Sequence, residues 1–179
     1  MSTSVRYTST AIFLHWLMAL GLIGTLSLGL YMQGLPFSPS KLQFYSWHKW
    51  AGITLLLLAI VRLAWRLSHP APALPAEMGA LSKLGAHAIH WLLYLLMLAI
   101  PISGWLMSSA QGFSVMWFGI VPLPDLVAPD PDLGNLLTKV HITLNYLLMA
   151  SIVAHVGAAL FHHFIKKDTV LKRMMPRMS

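Results

Sequence analysis

"KVHITLNYLLMASIVAHVGAALFHHF", residues 139–164, is apolar enough to cross a bilayer yet carries four histidines, His141, His155, His162 and His163. About 20 apolar residues rising about 1.5 Å each traverse the hydrocarbon core as a helix, and this stretch supplies them. His141 and His155 are fourteen residues apart. At about 100° per residue their rings fall within about 40° of each other, about 21 Å apart along the axis. One face of one helix therefore offers an imidazole in each leaflet. Burying such a group in a membrane is costly, which makes it a functional candidate by default.

The rest of the chain has the same character. Its 179 residues are 57% hydrophobic and only 9% charged, with a mean hydropathy of +0.69. A soluble domain carries about 25% charged residues, so this composition cannot solvate a globular surface. The length suits one domain over residues 1–179. Four stretches are long enough to span, at about residues 8–32, 42–65, 81–108 and 136–165. The predicted fold is all-α, an integral membrane four-helix bundle. Pro101 predicts a kink in the third helix. Aromatic rings near several span ends (Tyr7, Tyr31, Trp47, Trp50, Trp65 and Trp105) suit membrane interfaces. No internal repeat or low-complexity tract is visible. The first span is too long, and too poorly flanked by positive charge and small residues, to read as a cleaved signal peptide.

Charge sets the orientation. With four spans, both termini and the second connection share one side, which holds Arg6, Arg62, Arg66, Lys83, Lys166, Lys167, Lys172, Arg173 and Arg177. The other side holds Lys41, Lys49 and Lys139. Nine cations against three place the N- and C-termini in the cytoplasm. The net charge of +7 therefore reads as a topology and lipid-headgroup signal, and no nucleic-acid partner is expected. The first connection, "QGLPFSPSK", is turn-like, and the second, "SHPAPALPAEMG", is a proline-rich strap. The third, about residues 110–135, carries Asp125, Asp130 and Asp132 and is long enough to cap the bundle.

Cysteine is absent, which excludes disulfides, thiolate chemistry and iron–sulfur clusters. Metal chemistry must run through the nine histidines. Six lie within the spans: His15, His48, His87, His90, His141 and His155. His48 matches His141 in depth near the outer surface, and His15 matches His155 near the inner one. A metal with two protein ligands must bring the rest of its coordination sphere, as iron in a porphyrin does. Tetrahedral zinc wants four ligands per site, which these depths do not assemble readily. Small residues, Gly52, Gly157, Ala158 and Ala159, leave room for flat rings, although they also serve ordinary helix packing. A structural role for single histidines, bonded to carbonyls or hydroxyls, stays open. So does a proton relay, although all five acidic residues fall outside the spans. His69 reads as a loop residue, and His162 and His163 as interfacial anchors.

In its order of motifs the chain resembles the bacterial cytochrome b561 family over nearly its whole length. The matching pieces are "IFLHW", "WHKWAGITLLLLAIVRLAWRLSHPAP", "GAHAIHWLLYLLMLAIPISGW", the opening stretch at 139–164 and "LKRMMPR". The resemblance implies a b-type membrane cytochrome of the bacterial inner membrane with two haems b per chain. The implied axial pairs are His15 with His155 (inner) and His48 with His141 (outer). His87 and His90 would flank the inner haem as propionate or quinone contacts or spare ligands, either of them able to replace His15. His162 would donate a hydrogen bond or proton to a quinone. Arg62 and Arg66 would meet inner haem propionates, or snorkel to lipid phosphate. The stand-alone members of the family pass electrons from periplasmic superoxide to ubiquinone in the bilayer, with no obligate protein partner. Superoxide is an anion, so Lys49, Lys139 and Lys41, all near the outer ligands, would form its cationic funnel or merely sit at the lipid boundary. The alternative is a cytochrome b anchor subunit of a hydrogenase or dehydrogenase, not catalytic alone. The lack of an added span or long extension favours the stand-alone reading.

Overall fold

The computed structural model describes residues 6–176; Arg177, counted above among the basic residues, lies outside the described residues. Four helices make up the bundle: α1 (Ser9–Gln33), α2 (Pro39–Ser68), α3 (Ala80–Ala110) and α4 (Pro131–Phe161). All four are long and apolar enough to cross a membrane. Their starts are chemically marked. The Thr8 hydroxyl accepts the Ala11 amide, and Ser38 accepts that of Lys41 just ahead of Pro39. Asp130 Oδ1 accepts the amides of both Asp132 and Leu133, each at 3.0 Å. Such caps satisfy amides that have no partner inside the helix. They also explain why α2 and α4 begin before the apolar stretches that announced them: the cap, not the lipid boundary, decides where coiling starts.

The helices do not approach one another evenly. Backbones run close between α1 and α2, α2 and α3, and α3 and α4, whereas α4 meets α1 and α2 chiefly through side chains. At Gly21 of α1 an added Cβ would lie 2.8 Å from Leu55 Cδ2, so a larger residue would force that side chain to move. Midway along the bundle Leu96, Ile100 and Leu148 form a buried cluster, flanked by Leu22, Leu26, Leu144 and Ile152. Most other apolar side chains point outward; Leu20, Ile23 and Val153 are all more than 60% exposed. A soluble bundle would hide them, but a bilayer solvates them.

One end of the bundle carries a cap built from the third connection. Its only regular structure among the described residues is a hairpin of two-residue strands, β1 (Met116–Trp117) and β2 (Val121–Pro122). The hairpin turns through Phe118 and Gly119 at positive φ (52° and 70°), a conformation costly for a side chain as large as Phe118. Indole donors tie the cap down: Trp50 Nε1 to the Met116 carbonyl, Trp117 Nε1 to Thr54 Oγ1 and Trp105 Nε1 to the Pro124 carbonyl. At the other end, called here the tail end, α4 passes into a π turn (His162–Lys166) and then a 3₁₀ turn (Leu171–Met174). This tail is tied to α1 by Trp16 Nε1 donating to the Met174 carbonyl at 2.9 Å. Arg173 Nη1 ties it to the proline-rich connection through the Ala73 carbonyl at 2.5 Å.

Candidate functional site

Each end of the bundle brings two histidines face to face across the gap that α4 leaves. Near the cap, His48 of α2 faces His141 of α4 with ring centroids 6.4 Å apart and planes at 84°. Near the tail, His15 of α1 faces His155 of α4 at 6.2 Å and 65°. A metal held between two imidazoles sets this distance. Two bonds of about 2 Å each, plus about 1.1 Å from each nitrogen to its ring centre, put the centroids about 6.2 Å apart. His90 of α3 also approaches His155, but at 5.3 Å, about 1 Å too close for a shared axial metal. His87 is exposed.

At the cap end His141 is held by its neighbours, while His48 Nδ1 is buried without a partner. His141 Nδ1 lies 3.1 Å from the Ile100 carbonyl and 3.0 Å from Ser103 Oγ. A carbonyl only accepts, so Nδ1 carries the proton and Nε2 keeps its lone pair, the form in which a histidine ligates metal. The Ile100 carbonyl sits one residue before Pro101, inside α3. Glycines back both rings. A Cβ on Gly104 of α3 would come 3.0 Å from His141 Cε1, and one on Gly29 of α1 would come 3.1 Å from His48 Cε1. A cavity of about 50 Å³, partly open to the surface, borders both rings. Its walls are mostly apolar, with Thr25 and Asn145 the polar exceptions and Gly52 contributing to the lining.

The tail-end pair has the spacing but a different hydrogen-bond pattern. Arg62 Nη2 donates to His15 Nδ1 at 2.9 Å. Since guanidinium has no acceptor, the proton of a neutral His15 sits on Nε2. Ligation through Nε2 therefore requires Arg62 to let go. Close by on α2, Arg66 Nη1 is buried without a partner, as is His163 Nδ1 beyond the end of α4. A buried donor without an acceptor is uncommon; a ligand bearing a carboxylate would satisfy the Arg66 nitrogen.

No group of three or more His, Cys, Asp or Glu side chains among the described residues is arranged to hold a bare metal ion. Opposed pairs at two-bond spacing, a mostly apolar cavity beside the cap-end pair and a partnerless Arg66 nitrogen near the tail-end pair fit a planar metal macrocycle with carboxylate arms. The residues present fit haem.

The remaining residues named from sequence are scattered. Lys49 Nζ reaches the Phe113 carbonyl of the cap at 3.4 Å, and Lys41 Nζ reaches the Leu35 carbonyl at 2.5 Å. Lys139 is exposed. The structure thus turns Lys41 toward the α1–α2 connection and Lys49 toward the cap. His162 Nδ1 lies 2.5 Å from Asp168 Oδ2, and Gly157 has open space around its Cα. Gly29, Gly104, Ser103 and Asp168 escaped the sequence reading. The first three act on rings from another helix, so only knowledge of helix neighbours would find them. Asp168 follows a reversal of the chain that no periodicity announces.

Comparison with known proteins adds a family. A family described as prokaryotic cytochrome b561 matches residues 6–177. Cytochrome b561 homolog 2 of Escherichia coli K12 is 34% identical, covering 99% of this chain and 95% of its own length. The protein named probable superoxide oxidase CybB of Yersinia pestis is 32% identical over 96% of this chain and 97% of its own. Cytochrome b561 homolog 1 of Escherichia coli K12 is 33% identical over 96% and 98%.

Proposed function

Because the chain belongs to the prokaryotic cytochrome b561 family of bacterial multi-pass membrane haem proteins, we propose that it binds two haems b and oxidises superoxide, delivering the electrons to ubiquinone. The observation that carries this reading is the pair of facing imidazoles at each end, at the spacing of a shared axial metal. His48 with His141 and His15 with His155 would be the axial ligands. Haem b at these two places supplies one-electron carriage between the ends of the bundle. Superoxide as donor is supported by the likeness to the relative named for that activity.

The protein's own residues have separate tasks. Two superoxide anions surrender one electron each and leave as dioxygen; ubiquinone takes up two electrons and two protons to become ubiquinol. Lys49, Lys139 and Lys41 would supply local positive charge to an anion approaching the cap-end pair. The apolar lining between His48 and His141 keeps water from the redox centre, and Ser103 with the Ile100 carbonyl fixes the His141 tautomer. At the tail end Arg62 and Arg66 would hold the carboxylates of a bound haem, which would free His15 Nδ1. His90 then serves as a neighbour and not as a ligand, and His162 carries a proton for the quinone. The cation asymmetry supports an inner-membrane location with the tail end in the cytoplasm and the cap in the periplasm.

Purified protein, alone in liposomes with ubiquinone, should show a b-type spectrum with two haems per chain and should reduce the quinone when superoxide is generated outside. Haem without superoxide-driven quinone reduction would favour the second reading, an electron-carrying anchor for a partner dehydrogenase. The exposed apolar residues of the cap, Phe113, Phe118 and Ile120, would then be its docking surface.

A further inference from the structure

The tail end holds a carboxylate–imidazole pair that neither the haem ligands nor the lysines require. We propose that Asp168 is a positioning residue, whose carboxylate holds His162 in the Nδ1–H tautomer and leaves Nε2 to exchange protons with the quinone. This rests on the quinone-reducing reading above and adds a residue to it.

The backbone is shaped to make the contact. Along a regular α-helix residues 162 and 168 would point about 120° apart and could not meet. Instead α4 widens into the π turn His162–Lys166, and Lys167 takes a left-handed conformation at φ 55°. The amides of Lys167 and Asp168 both donate to the His162 carbonyl, folding residue 168 back beneath residue 162. Left-handed backbone is unfavourable at a lysine, and π turns recur at functional sites. The carboxylate is itself fixed: Oδ2 meets His162 Nδ1 at 2.5 Å while Oδ1 accepts the Val170 amide at 3.0 Å. Both side chains remain about one-fifth exposed, so Nε2 is not sealed away. His162 also lies seven residues past His155, within about 20° of the same helix face and about 10 Å nearer the tail.

Asp168 is an acceptor, so Nδ1 stays protonated throughout; the transferable proton is the one Nε2 carries in the imidazolium form, and its loss leaves the neutral Nδ1–H tautomer. As an electron reaches the quinone, the Nε2–H bond breaks and an O–H bond forms on the quinone carbonyl oxygen. A proton from the aqueous phase on the tail side, delivered as hydronium, returns Nε2 to its protonated form, and the cycle repeats for the second electron and proton. Asp168 never loses its charge; it orients the ring and balances the imidazolium, as a carboxylate does behind a catalytic histidine.

The test uses haem-loaded protein, stoichiometrically reduced and mixed with a short-chain ubiquinone. Asp168→Asn should slow haem reoxidation about tenfold or more, and Asp168→Glu should restore most of the rate. His162→Gln should be as slow as Asp168→Asn, and the double variant no slower, because the two act as one unit. Superoxide-driven haem reduction and the b-type spectrum should stay unchanged throughout. Ring ¹⁵N shifts of His162 in the reduced protein should report Nδ1–H in the wild type and in Asp168→Glu, and lose it in Asp168→Asn. Wild-type reoxidation in Asp168→Asn, or equal slowing in Asn and Glu variants with the tautomer unmoved, would overturn the proposal. A wild-type protein that ubiquinone cannot reoxidise would instead remove the quinone reading, and the role of Asp168 with it.

Discussion

Gly104 and Gly29 matter as much to the cap-end pair as the histidines they face. A methyl group at Gly104 would sit 3.0 Å from His141 Cε1, so the ring must shift from its hydrogen bonds or the helices must part. Overpacking of this kind costs about 1–3 kcal/mol. Gly104→Ala is expected to lose the cap-end haem and keep the other, leaving about half the haem per chain. Full stoichiometry in that variant would mean the slot is softer than its geometry suggests. Ser103→Ala is milder: the Ile100 carbonyl still holds His141 Nδ1, so both haems stay, with the cap-end one retained about tenfold less tightly in a competition with apo-haemoprotein. At the other end the ring distances separate two candidates. His15→Ala should abolish the tail-end haem, whereas His90→Ala should keep two haems per chain. What made the histidines legible was arithmetic internal to one helix, the 3.6-residue period and the rise per residue. The glycines and Ser103 act across helices, and nothing in a single strand of letters says which helices are neighbours.

Among the elements, the helices were easy to read and the connections were not. The apolar stretches located all four spans within a few residues at most ends, because hydrophobic length is set by the bilayer. The starts of α2 and α4, at Ser38–Pro39 and Asp130–Pro131, lie three and five residues ahead of the apolar run, while α2 ends three residues beyond it and α4 four residues short. Asp130 is the more informative cap because one carboxylate oxygen serves two amides. Asp130→Ala should lower stability by about 1 kcal/mol, and Asp130→Asn by only a few tenths. Thermal loss of haem absorbance in detergent would measure both, and equal melting of all three proteins would deny the cap its role. The hairpin in the third connection was hidden for a different reason. Its strands have two residues each, too short for alternation to show, and its turn puts Phe118 where glycine or asparagine would advertise the bend.

Taken whole, the molecule is a soluble bundle turned inside out, with a thin core and an apolar exterior. Its cations are just as unevenly shared, few at the cap and many at the tail. Long-range attraction of superoxide would therefore depend on a handful of lysines, screened beyond about 10 Å at 0.1 M salt. Replacing Lys49 and Lys139 with Gln should slow stopped-flow haem reduction by superoxide several-fold at low ionic strength, and hardly at all at high. A rate insensitive to both substitution and salt would leave these lysines as anchors at the lipid boundary.

One helix, α4, supplies a ring to both histidine pairs, while α1 and α2 contribute one ring each. During synthesis the ribosome delivers α4 after its three companions, so a nascent chain in the translocon has no complete pair to offer. On the proposed ligation, cofactor insertion would wait until the final span has entered the bilayer, and a protein truncated before Pro131 would emerge with neither centre.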